Sequence, residues 1–228
     1  MRKLVLNNIT LLGVDCVDVE RLGKVMKICT DQIKFGGVVI LSSLKSKNFK
    51  VTKIKPLNDI QSYSKFMIRN LNKYVKTDYV LVVQHDGFVL NPKAWSKEFL
   101  CHDYIGAPWW YDDGKNVGNG GFSLRSKKLL KILAKDKHIR KYSPEDHHIC
   151  RTYRRYLETK GISYAPEYLA AQFSVEGNIK QFMNGQNIWS GSFGFHDLKK
   201  TVITKWLKAN PKYKFIDNTI KKSYKLLK

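Results

Sequence analysis

The chain of 228 residues is 43% hydrophobic and 26% charged, and it carries a formal net charge of +22. Its length suffices for one substantial core, and its apolar content argues against intrinsic disorder. No segment approaches the roughly 18 uninterrupted apolar residues of a membrane span, and the first ten residues lack a secretory signal, so we expect a cytoplasmic protein.

The first half of the sequence predicts strands that alternate with helices. Short apolar runs are typical of buried strands, and apolar residues at helical spacing indicate amphipathic helices. The predicted strands cover residues 9–15, 38–41 and 79–83, and the predicted helices cover 19–33 and 63–75. Gly36 and Gly37 predict a break before the second strand. This order predicts an α/β fold with a mostly parallel sheet flanked by helices.

The second half is less regular and rich in loops. Further strands are predicted at 122–125, 168–175 and 192–195, and a helix at 127–134. Another helix should begin after Ser143, with the serine as its N-cap and Pro144 in its first turn. We find no internal repeat and no linker, and therefore predict a single domain.

Polar residues follow the predicted parallel strands, where ligands gather in open α/β sheets. They are Asp15, Ser42 and the run Gln84, His85, Asp86. A carboxylate such as Asp86 at a strand end suits a hard divalent cation that also keeps phosphate oxygens as ligands. The alternative is that Asp86 and Gly87 only form a turn.

Two acidic residues stand at the predicted helix start. Glu145 and Asp146 could simply complement the helix dipole or close a capping box. The same placement would suit a general base that deprotonates a hydroxyl group.

Three other features could contribute to a binding site. Trp109 and Trp110 precede a glycine-rich loop, and their rings could stack on sugars or pack in the core. Gly120 and Gly121 in that loop indicate a close approach of the backbone to another group. His196 follows a short apolar strand and is a candidate metal ligand.

Five motifs in a fixed order resemble a family of glycosyltransferase-like proteins related to the glycosyltransferase A fold. The motifs are YVLVVQHDGFVLNP at 79–92, YIGAPW at 104–109, GNGGFSLRS at 118–126, PEDHHIC at 144–150 and FGFH at 193–196. The resemblance covers residues 11–197. It implies a catalytic domain over 1–198, with a nucleotide-sugar-binding half (1–92), an acceptor half (93–198) and a basic C-terminal extension (199–228) packed on that domain.

The resemblance also implies a nucleotide-sugar donor and a divalent ion, Mn²⁺ or Mg²⁺. The acidic Asp-x-Asp signature of such enzymes reads Gln84-His85-Asp86 here, so metal ligation carries over to Asp86 alone. Gln84 would hydrogen-bond the ribose or the sugar of the donor. His196 matches a late histidine that completes the metal shell in several relatives.

The glycine-rich segment followed by Glu145 and Asp146 is similar to that of inverting galactosyl- and fringe-type enzymes. There the acid corresponding to Asp146 deprotonates the acceptor hydroxyl, and Glu145 would orient the acceptor or be the base itself. The resemblance thus implies a hexosyltransferase-type enzyme that favours a UDP-sugar, inverts the anomeric carbon, and acts on a glycan or another hydroxyl acceptor. Trp109, Trp110, Gly120 and Gly121 would bind substrate.

The charge leaves a second function class open. The chain has 33 Lys and only 8 Arg, and residues 199–228 carry ten Lys and one acid. This amphipathic tail could contact an anionic membrane or a polyanion, so a non-catalytic polyanion-binding protein is the alternative. Because base readers rely on Arg, no specific nucleic acid is expected. A phosphoester hydrolase using Asp86, His148 and His196 ranks last, since too few ligands are in place.

Overall fold

The computed structural model describes residues 3–176 and 191–197, together with Lys208 and Pro211. Its strands are β1 (Leu4–Val14), β2 (Ile33–Ser42), β3 (Thr52–Lys53), β4 (Tyr79–Val83), β5 (Tyr104–Ile105), β6 (Phe122–Ser126), β7 (Ser174–Glu176) and β8 (Gly194–His196). Its α-helices are α1 (Val19–Gln32), α2 (Ile60–Arg69), α3 (Lys127–Lys135), α4 (Glu145–His147), α5 (Arg154–Thr159) and α6 (Glu167–Phe173). Single 3₁₀ turns lie at Leu71–Tyr74, Pro92–Ala94 and Lys97–Cys101, and a π-helical turn at His148–Thr152. The predicted basic extension at 199–228 lies outside the described residues, apart from Lys208 and Pro211.

Within the described ranges, six strands form the main sheet in the order β3-β2-β1-β4-β6-β5. The four strands from β3 to β4 are parallel neighbours, whereas β6 runs antiparallel to both β4 and β5. The predicted α/β fold with a mostly parallel sheet is therefore confirmed. Parallel neighbours need crossover connections, and α1 supplies the one that joins β1 to β2.

Burial explains why the central strands read as continuous apolar runs. Leu11 and Leu12 of β1 point to opposite faces of the sheet, and both are fully buried. Helix α1 covers one face with Leu22 and Met26, and the side chain of Asp18 caps its N-terminus by accepting from the amide of Arg21. Burying each such aliphatic side chain stabilises the fold by about 1.5–3 kcal/mol.

Strand β2 corrects the prediction of a break at Gly36 and Gly37. The strand begins at Ile33 and includes both glycines. A Cβ atom on Gly36 would lie 1.8 Å from the carbonyl oxygen of Asn7 in β1, where the register of the β1–β2 pair shifts. Glycine at this position allows two strands to approach closely and does not end an element.

Three other boundaries differ from the prediction. The strand predicted at 168–175 is wrong, because residues up to Phe173 form helix α6, with Tyr168 exposed and Leu169 buried. Helix α2 ends at Arg69, and only a 3₁₀ turn continues to Tyr74. Ser143 does not cap a helix, since α4 begins at Glu145 with Pro144 at its N-cap and no side-chain capping bond.

A second, two-stranded sheet places the segment 191–197 beside the end of β4. Strand β8 pairs in parallel with β7, which sets His196 opposite Glu176. The amides of Leu90 and Asn91 both donate to the carbonyl oxygen of Phe193. No helix in the described part of the chain is long and apolar enough to cross a bilayer.

Candidate active site

A tight turn follows β4 at the carboxyl end of the parallel strands. The backbone amides and carbonyls of Gln84 and Gly87 form two mutual hydrogen bonds of 3.1 Å, which leaves His85 and Asp86 at the tip of the turn. The amide of Asp197 donates to the carbonyl oxygen of Asp86 at 3.0 Å, and this bond attaches the end of β8 to the turn. The sequence-predicted residues Asp86 and His196 are thereby brought together.

The Asp86 carboxylate lies close to ring nitrogens of His196 and His85. The Nε2 atom of His196 lies 3.7 Å from Oδ1 of Asp86, and Nε2 of His85 lies 3.8 Å from Oδ2 of the same carboxylate. Asp86 Oδ1 and His85 Nε2 are buried and have no hydrogen-bond partner among the described residues. The unpaired oxygen of Asp86 and the unpaired nitrogen of His85, with Nε2 of His196 beside the same carboxylate, fit a divalent cation such as Mn²⁺.

The protein supplies few ligands at this point. Within the described ranges, no group of three or more His, Cys, Asp or Glu residues is arranged to hold a metal ion. A cation bound by Asp86 and His196 would therefore need water or substrate oxygens to fill its shell, as Mg²⁺ does at phosphate sites. Both residues fit such a shared site.

His196 is held from its other ring nitrogen. Its Nδ1 atom lies 2.9 Å from the side-chain amide nitrogen Nδ2 of Asn119 and 3.4 Å from Oε1 of Glu176. Burial lowers the pKa of His196, but the hydrogen bond to Glu176 and the carboxylates of Asp86 and Asp197 outweigh it and raise the pKa to about 9. A carboxylate behind a histidine commonly orients the ring toward a metal.

Gly120 and Gly121 separate two functional groups by a single peptide unit. A Cβ atom on Gly121 would lie 2.1 Å from Nε2 of His196, and a Cβ atom on Gly120 would lie 2.4 Å from Oε1 of Glu145. Consecutive Cα atoms are about 3.8 Å apart. The imidazole and the acidic pair therefore approach neighbouring Cα positions on one short stretch of backbone, and both contacts require glycine.

Asp146 contacts the same stretch of backbone at Gly120. Its Oδ2 atom accepts from the amide of Gly120 at 2.9 Å, and its Oδ1 atom accepts from the amide of His147 at 2.7 Å. The carboxylate is thus oriented by two backbone donors while the residue stays partly exposed. Among the described residues it makes no reciprocal capping box, and its bond to Gly120 joins the start of α4 to the glycine-rich loop.

Glu145 has a different environment from its neighbour. It is only 4% exposed, and Oε1 lies 3.2 Å from Nη2 of the fully buried Arg125. The same Nη2 atom donates to the carbonyl oxygen of Gly120 at 3.3 Å. Burial raises the pKa of Glu145, the Asp146 carboxylate adds to this shift, and Arg125 opposes it. Glu145 therefore belongs to the support beneath the loop.

A cleft of about 290 Å³ opens beside the turn, at the edge of the sheet where Asp15, Gln84 and His85 meet. Asp15 Oδ2 accepts from Nε of Arg21 at 2.8 Å, and the side-chain amide of Gln84 donates through Nε2 to the hydroxyl of Tyr63 at 2.9 Å. Burial lowers the pKa of His85, and the nearby Arg21 guanidinium contributes to the shift. The cleft combines a cation, amide groups and an aromatic side wall.

Two predicted site residues lie outside the cleft and the loop surface. Ser42 is fully buried, and its hydroxyl donates to the backbone carbonyl of Asp15. Trp109 is only 6% exposed and packs against Gly118, where a Cβ atom would lie 2.2 Å from its ring. The structure assigns both side chains to the scaffold, whereas Trp110 is 58% exposed.

Sequence reasoning did not single out several residues that build the site. They are Arg21, Tyr63, Asn119, Arg125 and Glu176. Asn119 had a local signal: it lies between glycines, and its φ of 64° is a conformation that asparagine tolerates better than most residues. Its Oδ1 atom accepts from the amides of Gly121 and Phe122, which shapes the loop.

Solved structures with distant similarity to this chain include three glycosyltransferases. The mannosyltransferase PcManGT from Pyrobaculum calidifontis, in complex with GDP-Man and Mn²⁺, is 8% identical with a TM-score of 0.44, over 70% of this chain and 54% of that one. A glycosyltransferase involved in glycosylation of the major capsid of PBCV-1 is 13% identical with a TM-score of 0.48, over 87% and 96%. GlyE from Streptococcus pneumoniae TIGR4 is 11% identical with a TM-score of 0.48, over 95% and 62%. This chain thus spans about half the length of PcManGT.

Sequence comparison gives a family. No curated protein sequence matches the chain. Residues 46–196 match the family described as "Protein of unknown function (DUF5672)", and this segment contains the turn at Asp86, the glycine-rich loop, Asp146 and His196. Because the match covers more than half of the sequence, the chain belongs to the DUF5672 family.

Proposed function

We propose that this protein is a glycosyltransferase that moves a sugar from a nucleotide-sugar donor to a hydroxyl group. The observation that carries the proposal is the placement of Asp146 and His196 on adjacent glycines, with Asp86 beside the histidine. The ordered motifs that resemble glycosyltransferase-like proteins support it further. A UDP-sugar donor, a hexosyl group and a glycan or other hydroxyl acceptor are the substrates that we favour.

Asp146 is the proposed general base. It would take the proton of the acceptor hydroxyl while the acceptor oxygen bonds to the anomeric carbon of the donor. The bond from that carbon to the diphosphate breaks, and the diphosphate leaves with the electron pair. Attack from the face opposite the leaving group would invert the anomeric carbon. The amides of Gly120 and His147 support this role because they fix the direction of the carboxylate.

Asp86 and His196 would hold Mn²⁺ or Mg²⁺. A bound ion supplies positive charge that stabilises the departing diphosphate. The neighbouring cleft would hold the nucleotide, with Arg21 facing its anionic part and Gln84 within reach of hydroxyl groups. Arg21 lines this cleft, and its Nε atom is paired with Oδ2 of Asp15.

The test is the release of nucleoside diphosphate from a panel of UDP- and GDP-sugars, with Mn²⁺ or with EDTA. We expect release only when divalent cations are present. Asp146→Asn should lower the rate about 10²–10⁴-fold, the usual contribution of a general base, while the protein stays folded with a small loss of melting temperature from one lost backbone hydrogen bond. Asp86→Asn should remove the stimulation by Mn²⁺.

Asp78→Asn is the matched control, because Asp78 is an exposed carboxylate at the opposite end of β4. It should keep wild-type turnover and metal response. The proposal would be abandoned if wild-type protein released no diphosphate from any donor in the panel. Wild-type turnover of Asp146→Asn would remove the assigned base, and turnover in EDTA would remove the role of Asp86.

A further inference from the structure

An exposed aromatic stack stands next to the glycine-rich loop. Trp110 is 58% exposed, and its ring stacks on Tyr111 with 5.4 Å between centroids and 27° between planes. The guanidinium of Arg151 also packs on the Tyr111 ring, 3.5 Å from its centroid. We call Trp110, Tyr111 and Arg151 the Trp110 platform. A ring of this size left open to water is a notable feature when its neighbours hold it in place.

The platform is fixed by ionic and backbone contacts. Nη2 of Arg151 lies 2.7 Å from Oδ2 of Asp113, and Nη1 lies 3.3 Å from Oδ1, so the ion pair is bidentate. Nη1 also donates to the carbonyl oxygen of Lys115 at 3.0 Å. Since the rings are already ordered, a ligand that binds them loses less side-chain entropy on the protein's side.

The platform lies on the Asp146 side of the site. The Trp109 ring contacts Tyr111 at 5.9 Å between centroids and His147 at 6.5 Å, and His147 directly follows Asp146. Pro108 and Val117 pair as an antiparallel bridge, which holds together the two ends of the loop that carries Trp110 and Tyr111. None of the platform residues lines the cleft beside Asp15. The platform is therefore placed for the acceptor and not for the nucleotide.

We propose that the Trp110 platform binds a pyranose ring of the acceptor, so that the acceptor is a carbohydrate. The inference rests on the proposed function for its placement in the reaction. An aromatic face carries negative charge density and attracts the weakly positive C–H groups on one face of a pyranose. Asp113 and Arg151 at the rim provide a hydrogen-bond acceptor and donors for sugar hydroxyls. A lipid chain would need a continuous apolar groove, which this single ring between charged groups does not offer.

The experiment uses the full chain without any donor. Saturation-transfer NMR would be recorded with methyl glycosides of galactose, glucose, mannose and N-acetylglucosamine. We expect at least one glycoside to bind with saturation strongest on the hydrogens of one ring face. Trp110→Ala should weaken that binding roughly tenfold, the loss expected for one stacked ring. Trp110→Phe should retain part of it.

Tyr168→Ala is the control, since Tyr168 is also an exposed aromatic residue, at 66%, but lies on helix α6. It should bind the glycoside as wild type does. The inference is overturned if no glycoside binds, or if Trp110→Ala and Tyr168→Ala behave alike. Failure of the proposed function would look different. Glycoside binding that depends on Trp110 would then persist while no nucleotide sugar is turned over.

Discussion

At the scale of single residues, two adjacent glycines contact different parts of the site: Gly121 contacts the proposed metal ligand His196, and Gly120 contacts the buried Glu145. Gly121 leaves room for the His196 ring, and Gly120 leaves room for the Glu145 carboxylate. His196 and Glu145 differ in how easily they can move to make room for an added methyl group. His196 is held by side-chain contacts at one edge of its ring, whereas Glu145 is buried against Arg125. A methyl group should therefore have different consequences at the two positions.

Gly121→Ala is expected to displace the His196 ring with little loss of stability. The Mn²⁺ concentration for half-maximal diphosphate release should rise, and the melting temperature should change little. Gly120→Ala should instead lower the melting temperature, because overpacking against a buried group costs about 1–3 kcal/mol. Both variants can be measured by metal titration and thermal unfolding. If both variants lost the same stability and neither changed the response to Mn²⁺, the different roles assigned to Gly120 and Gly121 would be wrong.

The residue-level geometry of the site could be predicted only in part from the sequence. Asp86 and His196 are far apart in the chain, and it was the resemblance of ordered motifs that associated them, not their spacing. Glu176 and Arg21 were missed because their roles depend on which side chain the fold places opposite them. Nothing local in a sequence encodes the pairing of Glu176 with His196 across two strands.

At the scale of elements, one buried ion pair joins strand β6 to helix α4. Arg125 on β6 is fully buried, contacts Glu145 on α4, and has one terminal nitrogen without a partner among the described residues. The guanidinium of Arg125 also lies over the ring of Tyr104 in β5, 5.4 Å from its centroid, so the contacts of Arg125 reach the edge strand of the sheet. The pair supports the glycine-rich loop from below, through the carbonyl oxygen of Gly120.

Arg125→Met should destabilise the protein by about 3–5 kcal/mol, because Glu145 would remain buried without its cation. Adding Glu145→Gln should recover part of this loss, since the uncompensated charge is then removed. Urea unfolding of the two single variants and the double variant measures the coupling. Lys27→Met is the control: it breaks an exposed pair with Asp31 and should cost only about 0.3–0.5 kcal/mol. Strictly additive effects of the Arg125 and Glu145 changes would argue against the pair as the connection.

Element prediction succeeded where burial alone determines the pattern. Strand β4 was predicted with its observed bounds because its apolar run contains three valines, which favour strands, and α1 was predicted within one residue because its helical period is clear. The prediction failed at Gly36, where the role of glycine depends on the approach of β1. It failed again at 168–175, because a short apolar run can form a helix as well as a strand.

At the scale of the whole molecule, the formal charge of +22 is compatible with both function classes that the sequence left open. A positive field speeds the encounter with an anionic donor and is screened by salt within about 10 Å at 0.1 M. It also attracts any polyanion, whatever the chemistry of the site. The charge therefore does not identify the function by itself. The salt dependence of donor turnover and of polyanion binding does.

We expect the KM for the nucleotide sugar to rise with NaCl between about 50 and 500 mM while kcat stays constant, because salt screens the encounter and not the bond-making step. A mixed-sequence duplex DNA is the comparison, since its binding by counterion release should fall steeply with log salt. Asp86→Asn should abolish the metal-dependent turnover of the nucleotide sugar and leave DNA binding unchanged. If DNA bound tightly at about 50 mM NaCl and lost affinity steeply with log salt, while no donor was turned over at any salt concentration, the polyanion-binding alternative would replace the glycosyltransferase proposal.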